Sequence, residues 1–350
     1  MKVLVVGSGV AGICLAHELL GAGCEVRLID TGTNVSSVVA AGIINPLVFR
    51  RMTLSWRVSE LTAYGYAKYR EIEQLTDSSF FHPLVIRRLF ASEQELDFWK
   101  KKQELPEFSD FMETLTDEDL HFPSEQNTFG TGRVKQASWI DTETFLQANR
   151  SYFEKKGIGA IETFDHAELD PVTAVYKGIT YDYIFFAEGK DGLHNPLFSY
   201  LPLQQTKGEL LTLQSDSLYD KESLNRKCFL LPVGNGLFKV GSTYTWSTDD
   251  TIPTEEGKQT ITANLRSVSN APYTIVEHRA GVRPTVPDRR PMTGIHPEYP
   301  KMVYANGLGT KGYMIAPLLM HELVEHLLHG SAIHPEARID RFAKSKPVNS

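Results

Sequence analysis

The chain has 350 residues, 41% of them hydrophobic and 23% charged, with a formal net charge of −7. That composition is ordinary for a folded globular protein, and the acidic balance gives no electrostatic case for binding nucleic acid or an anionic membrane. No apolar stretch approaches the roughly 20 residues needed to span a bilayer, and the length allows two domains or one elaborated one.

The chain opens with KVLVVG, a short continuous apolar run that suits a strand buried on both faces of a parallel sheet. AGICLAHELL follows with helical spacing, Ile13, Ala16 and Leu20 falling on one face, and Gly21 and Gly23 stop it. EVRLID is a second strand ending in Asp30. Gly7, Gly9 and Gly12 therefore form a G-x-G-x-x-G between strand and helix, with an acid about 20 residues on, as a dinucleotide-binding βαβ unit requires. In such a unit Gly7 permits the tight turn, Gly9 lets a pyrophosphate approach, and Gly12 lets the helix pack closely. The helix N-terminus offers free N–H groups to phosphate, and Asp30 would accept from a ribose hydroxyl. An acid without a nearby Arg disfavours a 2′-phosphate. The N-terminus reads as a core strand rather than a signal peptide.

TLSWRVSELTAYGYAKYREIEQL and LFASEQELDFWKKKQEL read as helices, and the charge-rich stretch from Glu104 to Glu125 reads as exposed. GIGAIETFDHAELDP and TAVYKGITYDYIFFAEGKDG read as strands and turns. KGELLTLQ, KCFLLPVGNGLFKVGSTYTW and YTIVEHRAGVRPTV alternate like antiparallel strands, with Gly and Asn at the turns. KMVYANGLG is a late strand before a helix with Ala316, Leu319, Leu323 and Leu327 at helical spacing. The expected fold is α/β: a Rossmann-type domain assembled from separated segments (1–75, 134–205 and 280–350) with an inserted, mostly antiparallel sheet domain (76–133 and 206–279). Cys14, Cys24 and Cys228 form no C-x-x-C, so reduced thiols and a cytoplasmic location are expected. HELVEH has the residue types of a zinc motif, but His321 and His326 are five apart and do not share a helix face; no metal site is expected. Arg50 and Arg51 read as surface arginines, with contact to a phosphate or an acidic substrate as the alternative.

VVGSGVAG, SSVVAAGIINP, FFAEGKDG, QTKGELLTL, LLPVGNGLFKVGSTYTW, AGVRPTVPDRRPMTG and NGLGTKGYMIAP follow one another in this order. On these motifs the chain resembles, over nearly its full length, the FAD-dependent D-amino-acid-oxidase superfamily, and most of all its glycine and sarcosine oxidases. It is also similar to the FAD-dependent half of the bifunctional enzyme that trims carboxymethylaminomethyl-uridine in tRNA. The resemblance implies FAD in extended form. Gly7, Ser8, Gly9, Val10, Ala11 and Gly12 would hold its pyrophosphate, and Asp30 and Thr31 its adenosine ribose. Ser37, Ala40, Ala41, Gly42 and Ile44 would run towards the flavin, and Ala187, Glu188 and Gly189 match a small-residue turn of the family. Gly309, Thr310, Lys311, Gly312, Tyr313 and Met314 open the last helix, whose N-terminus would favour negative charge on the flavin's pyrimidine edge. Arg283 matches the family's carboxylate-binding Arg, beside the flavin; its bland alternative is a structural pair with Asp288. The His and Arg of glycine oxidases are missing from GLGTKGY, which brings Lys311 and Tyr313 forward as polar contacts, with Tyr244 a further aromatic candidate. The attachment Cys of monomeric sarcosine oxidase is absent, implying noncovalent FAD. The resemblance thus implies oxidation of a C–N bond in a small amino acid or N-substituted glycine. Action on a carboxymethylamino group of a macromolecule such as tRNA, and a non-catalytic flavin-binding role, stand as alternatives.

Overall fold

A computed structural model describes residues 1–33, 35–246 and 250–345. Two sheets organise it. The first has six strands: β1 (Lys2–Val6), β2 (Glu25–Asp30), β6 (Gly159–Ile161), β7 (Tyr183–Phe186), β14 (Met292–Ile295) and β15 (Met302–Asn306), in the order β14-β15-β7-β1-β2-β6. All its pairs are parallel except β14–β15. β1 sits at the centre, where both its faces are covered, and this is why KVLVV carries no polar alternation. Helices α1 (Val10–Gly21) and α7 (Gly312–His329) pack together in the main core, with Ile13, Ala16, Ala316, Leu319 and Leu323 buried between them and the sheet.

The second sheet has nine strands. β3 (Ile43–Ile44), β4 (Phe81–Leu89), β5 (Thr131–Ile140), β8 (Gln204–Gln214), β9 (Ser223–Asn225), β10 (Phe229–Gly234), β11 (Leu237–Gly241) and β12 (Thr245–Trp246) run in the order β12-β8-β11-β10-β9-β4-β5-β3. β13 (Thr274–Thr285) pairs antiparallel along the other edge of β8. Helix α6 (Glu255–Leu265) covers one face, where Leu211, Leu213, Leu230 and Val240 meet Ile261 and Leu265. The opposite face looks towards the first sheet. The expected division points at 133/134 and 279/280 fall inside β5 and β13, and both strands belong whole to the nine-stranded sheet.

Three local expectations change. The helix predicted from residue 53 begins later, as α3 (Val58–Thr76), because Thr53–Leu54 pairs instead with Leu47–Val48. The helix predicted around residues 89–105 is α4 (Glu93–Gln103), capped by the Ser92 hydroxyl. The stretch from Glu104 to Glu125 is not simply exposed: Phe108, Phe111, Met112 and Phe122 are buried, and Asp119 forms an interior ion pair with Arg87 at 2.9 Å. Two further helices lie between strands, α2 (Val35–Val39) and α5 (Thr142–Lys155), the latter opened by Asp141, whose carboxylate accepts from the Thr144 N–H. No described helix is long and apolar enough to cross a membrane.

Candidate functional site

The glycine loop is built for contact between backbones. A Cβ on Gly7 would lie 2.4 Å from the Ala187 carbonyl oxygen, and one on Gly12 would lie 1.7 Å from that of Gly7. Gly7 also takes a φ of +101°, which L side chains rarely adopt. The first i→i−4 bond of α1 runs from the Ile13 N–H to the Gly9 carbonyl, so the N–H groups of Val10, Ala11 and Gly12 precede the ladder. Val10 donates to the Ser37 hydroxyl at 3.2 Å. Asp30 ties the loop together, accepting from the Ser8 N–H at 2.7 Å and the Gly32 N–H at 2.6 Å.

From this loop a cavity of about 360 Å³ extends between the two sheets. Gly7, Gly9, Val10 and Ala11, then Asp30 and Thr31, then Ser37, Ala40, Ala41 and Gly42 line one side. Ala187, Glu188 and Gly189 meet it at the end of β7, and Gly309, Thr310, Lys311, Gly312 and Tyr313 meet it at the start of α7. The nine-stranded sheet supplies Ile86, Gly208, Leu210, Asn225, Phe229, Ser242 and Arg283. Of the residues singled out from the sequence, five lie off its wall. Ser8 faces a smaller neighbouring pocket, Gly12 packs on Gly7, and Ile44 and Met314 are core residues. Tyr244 stands outside, 47% exposed.

The start of α7 holds two distinctive groups. Pro317 has no N–H for the Tyr313 carbonyl, and the Tyr69 hydroxyl donates to that oxygen instead, at 2.6 Å. The Tyr313 hydroxyl in turn donates to the Ser37 carbonyl at 2.9 Å, which makes its contact with the cavity a fixed one. Lys311 points its ammonium to the Asn45 carbonyl at 2.7 Å and the Ser55 hydroxyl at 2.6 Å, with no carboxylate partner among the described residues. Burial pushes its pKa down to about 8.

Arg283 donates from Nη2 to the Ser242 hydroxyl at 2.9 Å and from Nη1 to the Thr243 carbonyl at 3.4 Å. It forms no ion pair among the described residues, and desolvation lowers its pKa without discharging it. The bland alternative fails on geometry: Asp288 accepts from Arg341 at 2.9 Å and from the Arg290 N–H at 3.0 Å. Gly208 makes room for the guanidinium, since a Cβ there would lie 2.0 Å from Nη2. Ser36, on α2, donates its hydroxyl to the Val282 carbonyl next to Arg283, linking the cofactor-side loop to β13.

Glu188 accepts from the Asn195 side chain at 2.8 Å, and Asn306 donates to the Gly189 carbonyl at 2.9 Å, bracing that turn. Asn45, Gly208, Ser242, Asn225 and Asn306 were not foreseen as site residues. Only Gly208 carries a local signal, a glycine inside an alternating strand. The two histidines of HELVEH part company: His321 lies 3.0 Å from Glu18 and stacks on Tyr64, whereas His326 meets the Ser331 carbonyl. Arg50 and Arg51 are exposed. No cluster suited to a metal ion occurs among the described residues.

The arrangement suits a long anionic ligand with an extended body: helix N–H groups at one end, a second helix N-terminus and a buried ammonium at the other. The family model described as DAO, FAD dependent oxidoreductase, matches residues 2–326. A glycine oxidase of Pseudomonas aeruginosa is 25% identical over 345 residues, covering 90% of this chain and 92% of its own. The tRNA 5-methylaminomethyl-2-thiouridine biosynthesis bifunctional protein MnmC of Marinobacter nauticus is 24% identical over 93% of this chain, which spans about half (55%) of that longer protein. Among solved structures, glycine oxidase from Geobacillus kaustophilus superposes with a TM-score of 0.78 at 18% identity, covering 95% of each chain. At that identity the likeness speaks for the fold, a Rossmann-type domain joined to a curled sheet.

Proposed function

The chain belongs to the DAO family of FAD-dependent oxidoreductases, and from that premise we propose that it oxidises the C–N bond of a small amino acid or N-substituted glycine, using noncovalently held FAD. The observation that carries the substrate class is Arg283, a cation in the cavity wall with hydrogen bonds to neutral groups and no carboxylate among the described residues. A guanidinium fork in that state suits a ligand carboxylate. Bound FAD would supply the hydride-accepting group. The chain's own residues position and desolvate: the loop of Gly7–Gly12 would hold the cofactor's pyrophosphate, the first turn of α7 would face the pyrimidine edge of its flavin, and Arg283 would fix the carboxylate so that the Cα–H is presented in one orientation. Phe229, Ile86 and Leu210, apolar residues of the cavity wall, would keep water from the space between.

Noncovalent attachment is supported by the cysteines. Cys14, Cys24 and Cys228 are buried, and none lines the cavity. The formal charge of −7 favours a small substrate over tRNA, since an acidic protein lacks the electrostatic term that dominates binding to phosphate backbones.

The test is to isolate the yellow protein, precipitate it with acid and mix the native form anaerobically with glycine, sarcosine, D-amino acids and 2-hydroxy acids. The expected result is release of FAD into the supernatant and bleaching of the flavin band by an amine-bearing carboxylate. Flavin retained in the pellet would overturn noncovalent binding. Bleaching by none of the panel would favour a non-catalytic role or a different substrate.

A further inference from the structure

Beside the mouth of the cavity stand two large aromatic side chains that remain half uncovered. Tyr244 and Trp246 are 47% and 52% exposed, yet their rings meet edge to face with centroids 5.1 Å apart. The Arg283 guanidinium lies 5.6 Å from the centroid of the Tyr244 ring. Strand register produces this alignment. Thr206 on β8 faces Arg283 of β13 on one side and Trp246 of β12 on the other. Directly opposed residues point to the same face of a sheet. One face therefore presents, in a row leading outward, a cation without a carboxylate partner among the described residues, then Tyr244, then Trp246.

Two adjacent exposed rings are an unusual way to finish a sheet edge, and they gain free energy when a planar apolar group covers them. What covers them is decided by the charge next door. A lipid surface or an apolar protein face would strand the guanidinium, whereas a small molecule with an anionic end and a ring satisfies both features at once. Glycine or sarcosine can reach Arg283 but has nothing to lay on Trp246. We infer that the substrate is a carboxylate whose substituent, on nitrogen or on Cα, bears a planar apolar ring, and that this ring lies against Tyr244 and Trp246 while the carboxylate is held by Arg283. The inference rests on the reading of Arg283 given above, and the experiment separates the two.

FAD-loaded protein is titrated with two carboxylates that cannot be oxidised for lack of an amine, propanoate and 3-phenylpropanoate, and binding is read from the perturbation of the flavin absorbance. The wild type is expected to bind the ring-bearing acid about tenfold more tightly or better, from the apolar area it covers. Trp246→Ala should collapse that ratio towards one and leave propanoate affinity close to wild type. Tyr244→Leu, with a melting temperature as control, should lower the ratio in part. Arg283→Met should weaken both ligands. Equal wild-type affinities, or a ratio that survives Trp246→Ala, would overturn the aromatic subsite. If Arg283→Met still weakens both in that case, the carboxylate anchor stands alone. Unchanged affinities in Arg283→Met would remove the anchor itself. A concentration-dependent dimer abolished by Trp246→Ala would also overturn the proposal, by giving the rings to a second copy of the chain.

Discussion

Gly208 shows how one missing methyl group sets a cation's position. A Cβ at this point would meet the end of the Arg283 side chain, not backbone, so Gly208→Ala should displace the guanidinium and leave the strand intact. Propanoate affinity is expected to fall about tenfold, the scale of one or two charge-assisted hydrogen bonds, with little change in melting temperature. Unaltered affinity in the alanine variant would detach Arg283 from ligand binding. Lys311 is the second case. Its pKa in the folded protein is about 8, below the ordinary 10.5. Below pH 8 both the folded and the unfolded chain hold the proton, and the desolvation cost is paid in full. Between pH 8 and 10.5 the unfolded chain holds a proton that the folded one has released, so stability rises with pH. The whole gap corresponds to about 3 kcal/mol. Lys311→Met should therefore stabilise the cofactor-free protein at pH 7 and flatten that rise. Urea unfolding of both proteins at pH 7.5, 9 and 10 would show it, and parallel pH profiles would contradict it. Were Lys311 to lend its charge to an anionic ligand in the loaded protein, that ligand would raise its pKa and reverse the preference.

At the scale of elements, α1 is the least tolerant. Its third residue, Gly12, packs on the Gly7 carbonyl at a distance no Cβ could share, and the atom in the way is backbone. Gly12→Ala should cost on the order of 3 kcal/mol and lose FAD, measured as a lower melting temperature and a colourless preparation; a stable yellow variant would show that the loop can retreat. Elements of this kind were readable because each carries a recognisable pattern: a continuous apolar run in β1, helical spacing in α1 and α7, and partial alternation in β8, which shifts register between Thr212 and Leu213. β4, β5 and α5 had no such signature. β4 carries Pro83 and the buried Arg87 and Arg88; Arg87 is answered by Asp119 and Glu222 from distant segments, and Arg88 by Glu95 on the following helix α4. Hydrophobic pattern cannot reveal a strand whose inward side chains are arginines paired through tertiary contacts. α5 could have been found, since Asp141 before Thr142 and Glu143 is an ordinary helix start.

For the whole molecule, the local motifs pointed to most of one wall of the cavity and, on the other, to Arg283 alone. The glycine loop, Asp30, the turn at Ala187 and the start of α7 are contiguous stretches, each recognisable in place. The partners that give Lys311 and Arg283 their character come from elsewhere: Asn45 and Ser55 for the first, Ser242, Thr243 and Gly208 for the second. The first meeting depends on how the start of α7 lies against the loops after β3, and the second on the register of strands within the nine-stranded sheet; no local pattern encodes either. The same holds for the rings beside Arg283. Tyr244 is at the rim and not in the wall, because β11 ends at Gly241 before the edge strand that carries Trp246 begins.

The parallel pairing of β1 with β7, and of β7 with β15, also dictates an order of events during synthesis. Residues 2–6 leave the ribosome some 180 positions before their neighbour at 183–186, and about 300 before the strand beyond it, at 302–306. At roughly 5–20 residues per second this is a wait of about 15 seconds to a minute. Throughout it the nascent glycine loop has no completed sheet to brace it, and the last helix, which supplies the other end of the cavity, does not yet exist. Completion of the cavity is thus a late step, and the interval leaves the short apolar strand β1 in need of shielding. A cell short of flavin would accumulate this protein as a finished chain with an open cleft, and its loss to proteases there would track cofactor supply more closely than the rate of translation.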